Sequence, residues 1–531
     1  MFATGTATDF IDLLDRLDTF LTAKGSAYGL AYAGTGNGTL TAYSGGALSV
    51  AETFTITATS ATSFDVVGSA SGSIGPATVG TPFAAAALEF LITAGATPFV
   101  SGDEFTLSTA PKWTTLRRSL GSVVLATQVN TGTRAAQNLV DGKLNGDTNN
   151  YWQVSSPITL PQDIEITLYQ EETIVQYQLG EFVNWYSPQD FTFDYWNGSA
   201  WVTLDSVTGL NGTTGVVYTF NVDSPVAATR YRLHITATEA STNIMLGIFR
   251  LLRADGVDAA AGQMVWSAPG NDGDSEIYTG VRTIERSDAD YADWEICGFD
   301  GFVASSHMML QPGYQGKKWL PLWKETIPYW FIADGRRAIV IAKINTQYEM
   351  AYLGLLDPYF SPEQWPYPLA LGASLALTEA PPTLESTSYR WSNTTDNHRM
   401  PTHADTLSET SPLEPEDSQL AARGLDGVWL PFEASSNDGV SGTPASYKNV
   451  VWPYRCGLSL LDVNLDGSYA LWPVMLNAAA PNTIGQLRGV AAVTGQGLTA
   501  ETLLRLGAVD WMVLHNITRT DRDDFLAVAL D

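Results

Sequence analysis

A chain of 531 residues with 56 acidic and 28 basic side chains has a formal net charge of −28, a field that repels phosphate backbones and argues against nucleic-acid binding. Apolar residues make up 45% and charged residues only 16%, with 47 glycines, which favours β architecture in about two to four domains over helical bundles. The two cysteines, Cys297 and Cys456, lie far apart in apolar settings, which excludes a disulfide framework and predicts buried free thiols.

Residues 8–23 carry the clearest helical pattern. Phe10, Leu13, Leu14, Leu17, Phe20 and Leu21 recur at spacings of three and four, Asp9, Asp12, Asp15 and Asp18 line the opposite face, Thr8 is placed to cap the start, and Gly25 to end it. The stripe must be covered, either by its own domain or by a neighbouring subunit. Phe10, Leu13, Leu17 and Phe20 are therefore candidate assembly residues. The terminus lacks the basic region and continuous apolar core of a signal peptide. No stretch approaches the roughly 18 apolar residues of a membrane span.

Residues 26–111 are rich in Gly, Thr, Ala and Ser. Glu52–Ala58, Ser63–Val67 and Leu88–Ala94 alternate apolar and polar side chains, the pattern of half-buried strands, and predict a small antiparallel β-sandwich. Residues 112–128 read as a strand-rich connector opening a second sandwich, 112–255. In it, Val175–Leu179 and Asp190–Trp196 alternate, Asn197-Gly198 signals a hairpin turn, Trp201–Leu204 pairs back, and Thr229–Ile235 and Ile244–Leu252 supply the last strands. A linker, Gly256–Gly262, opens the C-terminal unit, 256–531.

That unit centres on Lys317–Ser374. Tyr329–Ile332, Ala338–Ile344 and Tyr348–Leu356 predict a three-stranded meander, with Asp334-Gly335 at the first turn, where Asp-Gly tolerates positive φ. Trp323 and Trp330 are expected as core or interface anchors. A Ser-, Thr-, Pro- and Glu-rich stretch, 381–415, is irregular, helical spacing returns at Glu416–Ala422 and Thr499–Leu506, and Leu514–Asp531 reads as a terminal strand pair.

Few constellations point to chemistry. Asp462-Val463-Asn464-Leu465-Asp466-Gly467 has the spacing of a calcium loop, but Pro473 stands where a bidentate Glu is needed, so a hairpin competes with Asp462, Asn464 and Asp466 as weak calcium ligands. His398 and His403 lack companions for a metal shell. The acidic group Asp288, Asp290, Asp293 and Glu295 reads as solvated strand edges, since spacing alone does not identify a glycosidase pair. There is no nucleophile elbow, phosphate loop or His-Glu-x-x-His. The expectation is a protein that is not an enzyme and uses no cofactor.

Two resemblances add to this reading. Asn138-Leu139-Val140-Asp141-Gly142, Asp147-Thr148 and Tyr151-Trp152-Gln153 resemble the opening of discoidin or galactose-binding-like modules. This implies a jelly-roll β-sandwich and, in some members, a structural calcium held by the Asp-Gly loop and a Glu on the last strand. Asp141 and Asp147 match the first part; Leu246–Arg250 lacks the Glu. Candidate glycan contacts are Asn149, Asn150, Tyr151, Trp185 and Tyr186, with Trp152 and Trp196 as further aromatics. Second, the Lys317–Ser374 stretch, with Ile277–Thr283, Trp294–Phe302, Gln311–Gly313 and Asn516–Asp531, resembles the C-terminal part of tail and baseplate virion proteins of tailed bacteriophages. Residues 26–111 likewise resemble small β modules of phage structural proteins.

Together these imply a mainly β, multi-domain structural component of a phage tail tip or baseplate, or a link from tail to fibres. It would be assembled in the host cytoplasm and carried in the virion, contacting other tail subunits and forming a homo-oligomeric ring or trimer. The alternative is a receptor-binding protein that recognises a host surface glycan through the discoidin-like module.

Overall fold

The computed structural model describes residues 1–128, 134–140, 151–180, 186–239, 243–272, 275–285, 290–361, 363–376, 400–401, 418–432, 449–453, 463–478, 482–507, 509–517, 522 and 524–530. Over these residues the chain is mainly β, built of antiparallel sheets arranged as several sandwiches, with a 14-residue α-helix near the start (Phe10–Ala23, α1).

The C-terminal body is a stack of three sheets. Its middle layer is seven-stranded, in the order Phe2–Ala7, Ile327–Ala333, Arg337–Ile344, Gln347–Leu355, Leu369–Ala373, Leu420–Arg423, Trp429–Phe432. Both faces of this layer are buried, which explains uninterrupted apolar runs such as Ala338–Ala342. Ala338, Val340 and Ala342 join one core; Ile339 and Ile341 join the other. The first core lies against a six-stranded sheet (Thr114–Ser119, Gln263–Pro269, Glu276–Glu285, Tyr291–Phe299, Gln315–Trp323, Leu375–Ala376) and includes Trp266, Val281, Trp294 and Leu320. The second lies against the C-terminal sheet and includes Val474, Leu476, Val490, Leu514 and Leu526.

The predicted meander is present as Ile327–Ala333, Arg337–Ile344 and Gln347–Leu355. Its first turn works differently from the expectation. Asp334 Oδ1 accepts the backbone N–H groups of Arg336 (2.9 Å) and Arg337 (3.0 Å), and Gly335 is not in the left-handed region. Glycine is required there by close approach: a Cβ would lie 2.3 Å from the Ala110 Cβ. The helical spacing at 416–422 and 499–506 does not produce helices in the described residues. Leu420–Arg423 pairs with strands on both sides and Leu503–Leu506 pairs with Val509–His515, so cross-strand partners override local propensity.

The N-terminal segment belongs to this body and is not a separate unit. Phe2–Ala7 pairs with Ile327–Ala333 through six residue pairs. Helix α1 places Phe10, Leu13, Leu14, Leu17 and Leu21 in the first core, each at most 2% exposed. The candidate assembly residues Phe10, Leu13 and Leu17 are thus covered by their own chain, and the half-buried Phe20 packs on Phe331 at 5.7 Å. The outward docking reading is corrected: the stripe meets two sheets that come from distant sequence. Asp9, rather than Thr8, caps the helix, its Oδ1 accepting from Ile11 and Asp12 (2.8 Å each). The connector boundary also moves. Thr114–Ser119 pairs with Gln263–Pro269 in the body, so the second sandwich begins at Ser122–Ala126 rather than at 112.

Two sandwiches are inserted into this body. The first has a five-stranded and a three-stranded sheet enclosing Phe54, Ile56, Phe64, Phe90 and Phe105. In the second, a five-stranded sheet (Ser122–Ala126, Gln162–Thr173, Ala227–Thr238, Pro188–Trp196, Trp201–Val207) faces a three-stranded one (Val217–Asn221, Gln176–Gly180, Ile248–Leu252) across Trp152, Ile164, Tyr177, Phe193 and Phe249.

Candidate binding face of the middle sandwich

The predicted contact residues divide sharply. Asn149, Asn150 and Trp185 lie outside the described residues, as do Asp141 and Asp147. Tyr151 is only 8% exposed, next to the fully buried Trp152 that pairs with Leu246. A ring so enclosed offers no platform for a ligand, which corrects its assignment. Tyr186 is half-buried and precedes Ser187, whose carbonyl accepts from Glu239 N (3.1 Å) and Thr238 Oγ1 (3.0 Å). Register does draw two ends together. Trp152 pairs with Leu246, and the next residue, Gly247, donates its N–H to Gly180 O (2.9 Å).

Among the described residues, a polar and aromatic surface lies instead on the outer face of the five-stranded sheet. Strand alternation sends Ile164, Ile166, Phe193, Tyr231 and Leu233 inward. The register aligns Asp163 with His234, Glu165 with Arg232, Thr192 with His234, and Asp194 with both Arg232 and Thr203. The hairpin turn is set by Asn197, whose Oδ1 accepts from Ser199 N and Ala200 N (2.9 Å each), with Gly198 at φ +95°. Trp196 and Trp201 therefore face each other, with indole centroids 5.4 Å apart at 67°.

Two guanidinium groups order this pair. Arg230 lies 5.1 Å from the Trp196 ring and 5.3 Å from Trp201; Arg232 lies 4.6 Å from Trp201. Arg230 pairs with Glu165 (2.9 Å). Arg232 donates to Asp194 through Nη2 (2.6 Å) and Nε (3.0 Å), and Thr203 Oγ1 donates to the other Asp194 oxygen (2.9 Å). His234 Nδ1 lies 2.5 Å from Asp163. The result is a half-exposed aromatic pair with hydrogen-bonding groups at fixed positions, held by strands rather than loops. Such a surface can stack on the apolar side of a sugar ring and bond its hydroxyls. Sequence reasoning named Trp196 but read strand aromatics as core. The signal that could have found the rest is Arg230-Tyr231-Arg232 alternation beside a Trp–Asn-Gly–Trp hairpin.

The other candidates resolve as follows. Asn464 and Asp466 belong to a tight hairpin turn in which Val463 bridges Tyr469; Asp466 Oδ1 accepts from Ser468 N (3.0 Å) and Oγ (2.7 Å). Asp462, His398, His403 and Cys456 are outside the described residues. Among the described residues no group of three or more His, Cys, Asp or Glu is placed to hold a metal, and no helix is long and apolar enough to cross a membrane. Cys297 is a buried free thiol whose pKa is pushed well up by burial.

The acidic group is solvated only in part: Asp290 is exposed, as expected, but its neighbours are not. Asp288 is outside the described residues, but Asp293 and Glu295 are 1% exposed on a central strand of the six-stranded sheet. Glu295 pairs with Arg282 (2.6 Å) and accepts from Tyr314 Oη and Lys317 N (2.8 Å each). A buried carboxylate needs such partners.

No family model and no curated protein matches the chain. Among solved structures it is similar to the family 32 carbohydrate-binding module from Streptococcus pneumoniae EndoD, at 18% identity over 26% of this chain and 99% of that one, with a TM-score of 0.21. It is also similar to a family 32 module from Clostridium perfringens solved with galactose, at 15% identity over 26% and 96%, TM-score 0.21. A third is a chitosan-binding module from Paenibacillus sp., at 18% identity over 26% and 96%, TM-score 0.21. Each likeness has the extent of one module.

Proposed function

We propose that this chain is a non-catalytic binding and structural subunit whose middle sandwich contacts a surface glycan. The observation that carries this reading is the half-exposed Trp196–Trp201 pair, ordered by Arg230 and Arg232 on rigid strands. The resemblance of residues 138–153 to galactose-binding-like modules supports it independently. The resemblance of the body to tail and baseplate proteins supports a setting in a tailed-phage virion, where the chain would join other subunits and present the module to a host surface. A single such face would bind a simple sugar in the millimolar range, roughly −4 kcal/mol, and gain avidity from repetition in a symmetric assembly.

A second reading is purely architectural, with the middle sandwich as a spacer. It is favoured by the pairing of both guanidinium groups with carboxylates. Incubating the full chain with immobilised host polysaccharide separates the readings. Retention that is lost in Trp201→Ala, with an unchanged melt, supports glycan contact. No retention leaves the architectural reading, and release of fragments would reveal an enzyme. Antibody labelling of intact particles tests the virion setting; unlabelled tails would remove it.

A further inference from the structure

The middle sandwich joins the body through two chain segments that run side by side. Gly121 and Gly262 pack so closely that a Cβ on Gly121 would lie 2.8 Å from Gly262 N. Ser119 and Ser122 hydroxyls donate to the carbonyls of Ala259 (3.2 Å) and Ala260 (2.9 Å). A two-segment neck of this kind is a natural pivot.

We propose that helix α1 and Tyr169 form a clasp that fixes the module's orientation on the body. Tyr169 projects from Gln162–Thr173, one of the two longest strands of the module, across the neck. Its hydroxyl donates to Glu285 Oε2 on the body (2.6 Å), and Lys324 holds the other Glu285 oxygen (2.9 Å). Its ring meets Phe10 of α1 edge-on, with centroids 6.5 Å apart at 88°. On the other side Arg118 reaches both partners: one nitrogen donates to Asp15 of α1 (2.5 Å) and another to Gln170 of the module (2.5 Å). Arg253 ties the second neck segment to the first, donating to Arg118 O and to Glu172 (3.0 Å each). The junction leaves a small, partly open cleft of about 10 Å³, room for no more than one water, bordered by Phe10, Gln137, Tyr169 and Glu285. Tyr169 is 37% exposed overall, but desolvation at the junction, and then the Glu285 carboxylate, push its phenol above the ordinary range, so it stays a donor.

The clasp makes α1 a conformational device as well as a core element. One side of the helix closes the body; Phe10 also touches the module directly, and Asp15 reaches it through Arg118. A ligand-contacting face is then presented at a set angle to the body and does not sample a cone of directions.

Hydrogen exchange read by mass spectrometry on the full chain tests this. Tyr169→Phe keeps the ring and removes the donor; Glu285→Gln weakens the acceptor. Both are expected to speed exchange of neck amides in 119–122 and 258–263 by about tenfold, the size of one lost hydrogen bond. Amides of the module core around Phe193 and Leu233, and the global melt, are expected to be unchanged. Neck exchange equal to wild type in both variants overturns the clasp. Loss of protection throughout the module core also overturns it, because Tyr169 would then be supporting the sandwich and not its orientation.

Discussion

The indole N–H of Trp266 donates to Asp18 Oδ1 at 2.8 Å, across the junction of helix α1 and the six-stranded sheet. The same oxygen accepts from Thr115 Oγ1 (2.6 Å). Asp18, 8% exposed, is therefore a buried polar anchor of the helix, beside its apolar contacts and the exposed Asp15–Arg118 pair. Asp18→Ala leaves a buried indole N–H unpaired and is expected to cost about 1–3 kcal/mol in chemical denaturation, while Asp18→Asn, which keeps an acceptor, should cost less. Equal losses would mean that the hydrogen bond contributes nothing. By the same packing, removing residues 1–24 strips both an edge strand and part of the first core, so the truncated chain is expected to be insoluble.

The body tryptophans should rank by burial. Trp294 is fully buried, and Trp294→Ala is expected to cost about 3–5 kcal/mol. Trp330 is half-buried against Tyr348, at 6.1 Å, and its truncation should cost clearly less. Trp323, also half-buried, should follow Trp330. Melting curves of the three variants give the order directly; a Trp330 loss equal to that of Trp294 would contradict it.

Gly335 is where the first sandwich meets the meander. Its N–H donates to Ser26 Oγ (2.6 Å), and a Cβ would lie 2.8 Å from Pro111 O as well as against Ala110. Gly335→Ala is expected to destabilise by about 1–3 kcal/mol, the usual cost of overpacking, since backbone on both sides must shift. Hydrogen exchange should place the damage at 26–28 and 108–113. A variant as stable as wild type would mean that the contact yields freely.

Stability of the first sandwich should fall in acid through Asp103. Its carboxylate accepts backbone N–H groups from Val100 (3.0 Å), Thr35 (2.9 Å) and Gly36 (3.0 Å), which hold its pKa down to about 2. The folded value is depressed below an unfolded value of about 3.9, so the contribution is complete above that pH. It is lost as pH falls through about 2. Exchange protection of 34–36 and 100–103 should decline over this window in wild type. In Asp103→Asn it should be weaker and flat, and a parallel decline would assign the acid response elsewhere.

Local patterns in the sequence determined the local structure. The three-and-four spacing of Phe10, Leu13 and Leu17 specified a helix, alternation specified Asp190–Trp196 and Thr229–Ile235, and Asn197-Gly198 specified a hairpin, because each depends on neighbours a few residues away. What covers an apolar face depends on partners hundreds of residues distant. Only the tertiary structure decided that the helix stripe packs against Trp266 and Phe331, that Asp18 and Glu295 are buried with hydrogen-bond partners, and that Thr114–Ser119 belongs to the body. The same holds for the candidate face. Trp196, Trp201, Arg230 and Arg232 lie on three strands, and their convergence follows from sheet order and register, which no short stretch of sequence encodes.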